Sequence, residues 1–155
     1  MSSYVSNSLT ANEKIIKKAS IHWFIYASGA AWLLLGVFLL IVAPENAPLP
    51  SFLGVIFSLF GVFKLIQAFL YHISTELAVT SKRVVAKFGF IRRNTIELNH
   101  RNVESFSVDQ SIFGRLFNFG TVHINGTGGV KTPLPAIANP LEFRQIAFEE
   151  IEKNK

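Results

Sequence analysis

The sequence of 155 residues contains no cysteine, which excludes disulfide bonds and thiolate metal ligands. Acidic residues are also few, 10 against 15 lysines and arginines, and the formal net charge is +5. The acids are scattered and show no pairing that indicates acid–base catalysis. The positive balance suits an anionic membrane surface or a nucleic acid.

Histidines at ligand spacing are missing as well. His22, His72, His100 and His123 each lack a second histidine or an acid at the spacing of a metal site. The glycine-rich segment 126–132 lacks the Gly-Lys-Ser/Thr ending of a phosphate-binding loop, so we interpret it as a hairpin turn. We therefore expect no enzymatic activity, no metal and no cofactor.

Polar residues are nearly absent from two long stretches, residues 21–43 and 52–73. As a helix, the first would cover ~33 Å, against ~30 Å for the hydrocarbon core of a bilayer. Trp23 and Tyr26 lie near its start, where aromatic rings favour the headgroup boundary. A cleaved signal peptide is the alternative, but its apolar core is usually only ~7–15 residues long. The pattern predicts two transmembrane helices.

The connection between these stretches, residues 44–51, contains three prolines and neither lysine nor arginine. Such a short connection predicts an antiparallel helical hairpin. Lysines and arginines flank the hairpin on its other side, so the positive-inside rule places both termini in the cytoplasm. Small residues at helical spacing indicate the face on which the helices meet: Ser28, Gly29, Gly36, Gly54, Ser58 and Gly61.

Lys64 interrupts the second apolar stretch. A charge inside a membrane span indicates a functional site by default. However, Lys64 lies only about two helical turns before Tyr71 and His72, and a lysine side chain can extend toward the interface over that distance. The two interpretations are a structural lysine and a role in transport.

The cytoplasmic N-terminal segment, residues 1–20, is polar and rich in lysine. We interpret it as a short interfacial helix, with a frayed terminus as the alternative. In the first interpretation Lys14, Lys17 and Lys18 contact lipid headgroups.

From residue 74 the pattern changes to period two, which predicts half-buried β-strands. Leu77 and Val79 alternate with polar or small residues, as do Phe106 and Val108 farther along the chain. Pro133 and Pro135 suit a strand at a sheet edge. Asn139 and Pro140 open a final amphipathic helix. The sequence therefore predicts a soluble, β-rich cytoplasmic domain at residues 74–155.

Five cations cluster within twelve residues: Lys82, Arg83, Lys87, Arg92 and Arg93. They form either a solvated strand face or a contact with anionic headgroups; nucleic acid fits less well, because a membrane anchor keeps them beside lipid. If the first strand leads away from the membrane, the second returns to it. The turn at Arg92 and Arg93 then touches headgroups, while Lys82 and Arg83 lie far from them.

A second unusual segment carries five large apolar residues in a loop-like stretch: Ile112, Phe113, Leu116, Phe117 and Phe119. Such residues usually belong to a core. The alternatives are a segment that dips into the membrane and an association surface for a second subunit or partner.

Several motifs, in this order and spacing, are similar to those of one family. They are His22-Trp23, Thr80-Ser81-Lys82-Arg83, Gly89, Ile96-Glu97-Leu98, Val103-Glu104-Ser105, Gly114-Arg115-Leu116, Gly120-Thr121-Val122, Gly126-Thr127-Gly128 and Asn139-Pro140. The chain resembles the bacterial pleckstrin-homology-like family that is anchored by membrane helices. The resemblance covers nearly the whole chain.

The resemblance implies two packed antiparallel sheets closed by a C-terminal helix, and a protein of the bacterial inner membrane. The matching positions Thr80, Arg83, Gly89, Arg115 and Gly120 are expected to be structural, through turn geometry and a guanidinium that bonds backbone carbonyls. The expected function is a scaffold or adaptor that contacts lipid headgroups, copies of itself or another membrane protein. The alternative is a subunit of a transport or export assembly that uses Lys64.

Overall fold

The computed structural model describes residues 4–44, 48–91, 93–127 and 129–153. The chain forms two compact units. One is the helical unit, Trp23–Ile73; the other, the β unit, combines the residues before Trp23 with those from Ser74 onward. The helical unit thus interrupts the β unit in sequence.

The helical unit contains a 3-10 turn at Trp23–Tyr26 that continues into helix α2 (Ala27–Val42), and then helix α3 (Pro48–Ser74). Both helical stretches are long and apolar enough to cross a membrane. Helix α3 begins at Pro48, four residues before the apolar stretch that starts at residue 52. The reason is that Pro48 and Pro50 fall in the first turn, where no backbone N–H is needed.

Glycines form the contact between α2 and α3, which confirms most of the predicted face. A Cβ added at Gly36 would lie 2.4 Å from the backbone nitrogen of Ser58, and one at Gly61 would lie 2.4 Å from that of Leu33. Gly29 and Gly54 also face the other helix, where an added Cβ would lie 2.9 Å from Leu65 and 2.8 Å from Leu40, whereas Ser28 is exposed and lies off the contact. Without side chains at these positions, the two antiparallel backbones can approach closely.

The β unit has a four-stranded sheet in the order β1-β2-β3-β4 and a three-stranded sheet in the order β5-β6-β7, with all neighbouring strands antiparallel. The strands are β1 (Ile15–Lys18), β2 (Glu76–Thr80), β3 (Arg83–Phe88), β4 (Asn94–Asn99), β5 (Val103–Asp109), β6 (Phe119–Gly126) and β7 (Val130–Ala138). A short helix α4 (Ile112–Leu116) precedes β6, and helix α5 (Pro140–Lys153) follows β7.

Apolar side chains from both sheets meet helix α5 in a single core. Leu77 and Phe106 are buried there with Phe143, Ala147 and Ile151 of α5. These residues fall at the period-two positions of the strands and on one face of the helix, as the sequence indicates. The predicted class, two antiparallel sheets with a C-terminal helix, is confirmed.

The prediction of an interfacial helix before residue 20 is wrong. Residues Ile15–Lys18 form strand β1, which pairs with the free edge of β2, with Lys18 opposite Ala78. The edge of β2 would otherwise present unpaired backbone groups, and β1 satisfies them. The helical hairpin is therefore inserted between two neighbouring strands of one sheet.

The first N-terminal residues also cover the outer face of this sheet. Helix α1 (Tyr4–Asn7) places Val5 over Ala78 and Val85, and all three side chains are buried. The carboxylate of Glu76 accepts hydrogen bonds from the backbone nitrogens of Tyr4 (3.2 Å) and Val5 (3.4 Å). Both faces of β2 and β3 are consequently buried.

Candidate functional site

The chain leaves the β unit at His22 and re-enters it at Ser74. Strand β1 runs toward the first of these residues, and β2 starts directly after the second, so both connections emerge from the same end of the sheet. We call this the connection end. The β2–β3 turn at Ser81 and Lys82 defines the opposite end.

The β3–β4 turn lies at the connection end, because Glu76 pairs with Lys87 and the last pair of β3 and β4 is Phe88 with Asn94. Gly89 begins the turn with a φ of +93°, a conformation that favours glycine. Ile91, two residues farther along this turn, is 97% exposed. Phe90 and Arg93 are exposed too, while Arg92 lies outside the described residues.

Helix α4 lies at the connection end too. Its Gly114 packs on the backbone of Phe119, where an added Cβ would lie 2.6 Å from the carbonyl oxygen. The side-chain amide of Gln110 donates to both the Gly114 (3.2 Å) and Phe119 (3.1 Å) carbonyls. The Phe119 ring stacks on His22 with 5.2 Å between centroids. Phe119 thus links α4 to the residue at which the chain leaves the β unit.

The apolar side chains of α4 are on the surface. Ile112 is 85% exposed, Phe113 61% and Leu116 74%, and Phe117 is also exposed. Only Phe119 is partly buried. The interpretation of this stretch as core is therefore wrong, because the segment folds into one helical turn that points its side chains outward. Arg115 is exposed on the same turn.

A polar network occupies the opposite end. The Glu13 side chain is completely buried, accepts a hydrogen bond from the Thr80 hydroxyl (2.7 Å) and pairs with Arg83 Nε (3.0 Å). Arg83 also bonds the Glu97 carboxylate (2.6 Å) and donates to the Ser8 carbonyl (2.6 Å). Thr80 and Arg83 therefore fasten the N-terminal segment to the sheet.

The Glu13 carboxylate stays ionised despite its burial. Burial alone would raise its pKa, but hydrogen bonds from the Thr10 backbone, from the Thr80 and Thr10 hydroxyls and from Arg83 lower the pKa to about 2. Hydrogen bonds donated to the charged form outweigh desolvation here. Sequence reasoning missed this glutamate, because nothing near it in sequence marks it as buried.

The cations predicted to touch headgroups are distributed over both ends. Lys14 lies at the opposite end, where its backbone bonds Ser81. Lys17 pairs with Glu142 of α5 at 2.6 Å, and Lys18 lies 3.8 Å from Glu76 near the connection end. At the opposite end, the Lys82 ammonium donates to the Ala11 carbonyl at 2.7 Å.

Two further residues singled out in the sequence, Gly120 and Lys64, lie in the β unit and in the helical unit respectively. Gly120 is buried, and a Cβ there would lie 2.6 Å from the Asp109 carbonyl oxygen, so the position requires glycine. In the helical unit, the Lys64 ammonium lies 5.5 Å from the centre of the Phe60 ring. Within the described ranges, no group of three histidines or acids could hold a metal ion.

The profile of one protein family, described as the bacterial PH domain, matches residues 19–151. The chain belongs to the bacterial PH domain family. No curated protein and no solved structure matches it. As a bacterial PH domain with this two-sheet fold, the chain has the features of a binding or scaffold module.

Proposed function

We propose that this bacterial PH domain protein is a non-catalytic scaffold or adaptor, anchored in the cytoplasmic membrane by its helical hairpin with both termini in the cytoplasm. The observation that carries the proposal is the insertion of the hairpin between β1 and β2. The β unit is then connected to the membrane spans by two adjacent strands, so that it stays at the membrane surface. It would present its surface to lipid headgroups, to copies of itself or to another membrane protein.

The surface of the helical unit supports the membrane assignment. In the most apolar 18-residue segment of each helical stretch, only 11% of the residues in the first and 17% in the second are buried. Large apolar side chains such as Leu34, Ile41 and Leu49 are exposed. The core helix of a soluble protein would bury such side chains, whereas lipid solvates them.

The register of the first sheet supports a headgroup contact by the β3–β4 turn. Arg93 is exposed at the connection end, and Arg92 directly precedes it in the sequence. Lys17 and Lys18 belong to the same proposal, but Lys14 does not, because it lies beside Ser81 at the other end. Each basic residue near an anionic surface contributes roughly 1 kcal/mol.

The topology can be tested directly, because the chain has no cysteine of its own. Single cysteines at Ser3, Ala47 and Asn154 would be treated with a membrane-impermeant maleimide in intact cells. We expect labelling at Ala47 alone, and labelling at all three sites after the membrane is permeabilised. Labelling of Ser3 or Asn154 in intact cells, with Ala47 protected, would overturn the proposal.

A further inference from the structure

We propose that helix α4 lies in the boundary between lipid headgroups and acyl chains, as a contact of the β unit with the membrane in addition to the two connections and the β3–β4 turn. This inference rests on the proposed function, because it takes Trp23–Val42 and Pro48–Ser74 to be membrane spans. It adds a partner, the lipid surface itself, to a segment that the family assignment leaves without a role.

The first argument is the series of contacts between helix α4 and the start of the first span. His22 directly precedes the first span and stacks on Phe119 at 5.2 Å. Phe119 in turn supports Gly114 of α4. Helix α4 is therefore linked through a single residue, Phe119, to the residue that directly precedes the first span. The headgroup layer is itself ~5–8 Å deep on each side of the bilayer.

The second step is the chemistry of the surface. Four large apolar side chains are exposed on helix α4 and the residue that caps its C-terminus: Ile112, Phe113, Leu116 and Phe117. Contiguous apolar groups of this kind mark a surface that is covered in the working protein. Arg115 projects from the same turn, and a guanidinium beside apolar rings suits a phosphate headgroup above acyl chains.

The third step decides between lipid and a second copy of the chain. A separate apolar tip, Phe90 and Ile91 in the β3–β4 turn, lies at the same end of the β unit. Neither segment 89–93 nor segment 111–119 contains an acidic residue, while both contain arginine. Two basic, apolar tips beside both chain connections match an anionic bilayer better than a copy with the same positive charge.

The experiment uses the full chain in proteoliposomes of phosphatidylethanolamine and phosphatidylglycerol. An environment-sensitive fluorophore is attached to one cysteine at a time: Phe113→Cys or Ile112→Cys for α4, Arg101→Cys for the opposite end, and Phe38→Cys for the first span. Quenching is measured with nitroxide-labelled lipid and, separately, with aqueous iodide. Both α4 positions and Arg101 are exposed, so the substitutions leave the core intact.

We expect the lipid nitroxide to quench labels at Phe113 and Ile112 strongly and iodide to quench them weakly, with the reverse at Arg101. Strong iodide quenching at both α4 positions would overturn the inference. The label at Phe38 separates the two proposals. Lipid quenching at Phe38 but not at α4 would refute only the membrane contact of α4. No lipid quenching at Phe38 would refute the first membrane span itself. The measurement is repeated with one chain per nanodisc, where two copies cannot associate. If the α4 labels then lose their protection from iodide, that protection came from a second copy, and the lipid assignment is overturned.

Discussion

The cations at the two ends of the β unit differ in their contacts. At the opposite end, Arg83 contacts two carboxylates and a backbone carbonyl, and Lys82 contacts Ala11, so both cations are used within the fold. At the connection end, Arg93 and Arg115 are exposed beside apolar side chains. Lys82 and Arg83 look much like Arg92 and Arg93 in sequence. The comparison teaches that the role of a cation depends on which acids and carbonyls the topology brings to it.

The network at the opposite end should be the most sensitive point of the β unit. Glu13→Gln removes the charge opposite Arg83, and we expect it to lower the free energy of unfolding by about 3 kcal/mol, the value of a pKa shift from 4.5 to about 2. A lowered pKa stabilises the fold above the ordinary pKa, and this contribution disappears as pH falls through the folded-state value. The difference between wild type and variant should therefore be constant above about pH 5 and shrink between pH 4.5 and 2.

Hydrogen exchange of the β2 and β3 amides in detergent micelles would measure this difference. Glu97→Gln is the matched control, because Glu97 also pairs with Arg83 but is partly exposed, with 34% of its side chain accessible. A partly exposed pair contributes much less than a buried one. Equal protection in the two variants would show that the Glu13 pair does not fasten the N-terminal segment.

Elements with a strong periodic signal could be predicted from the sequence, and elements held by distant partners could not. The apolar stretches and the alternation in β2, β5 and β6 gave the hairpin, most strands and the final helix. Strand β1 has four residues, two isoleucines followed by two lysines, and is largely exposed. It exists because the edge of β2 pairs with it, and no local pattern reveals that. Helix α4, with five residues, is too short to show a helical period.

The site was predictable only in part, for the same reason. The exposed turn at Arg93 follows from counting residues along two strands that are adjacent in sequence. Glu13 and Thr80 are 67 residues apart, and only the path of the chain through the hairpin brings them together. The sequence shows that the apolar side chains of α4 are unusual, but their exposure depends on a backbone turn that the contacts of Gly114 and Gln110 stabilise.

The connection end should respond to charge rather than to packing. Arg92→Glu with Arg93→Glu replaces two attractive charges by two repulsive ones, so we expect the β3–β4 turn to lose more than about 2 kcal/mol of attraction to an anionic bilayer, with the largest loss at low salt. A fluorophore on Ile91→Cys in full-chain proteoliposomes would show reduced quenching by nitroxide-labelled lipid. The loss should fade as salt is added or as phosphatidylglycerol is replaced by phosphatidylcholine.

The matched control reverses two exposed cations at the opposite end, Lys14→Glu with Arg101→Glu. Lys82 and Arg83 are unsuitable for this purpose, because their replacement would also break the network around Glu13. We expect quenching at Ile91 to be unchanged in the control. The same loss in both pairs would mean that net charge, rather than the position of the turn, controls the approach to lipid.

Lys64 is the third kind of cation in this comparison, and its replacement should have the smallest effect. The α3 helix has 27 residues, which at ~1.5 Å each exceed the ~30 Å hydrocarbon core, so its final turns can reach the headgroup layer. Lys64 lies about ten residues before Ser74 and beside the Phe60 ring, which stabilises an ammonium group in an apolar environment. Lys64→Leu should therefore leave the membrane level, the topology and the β unit unchanged.

The control is Gly61→Leu, one turn earlier, which should disrupt the hairpin because its side chain would collide with Leu33. If Lys64→Leu instead abolished an ion flux measured in proteoliposomes while the protein stayed inserted and folded, Lys64 would belong to a transport pathway.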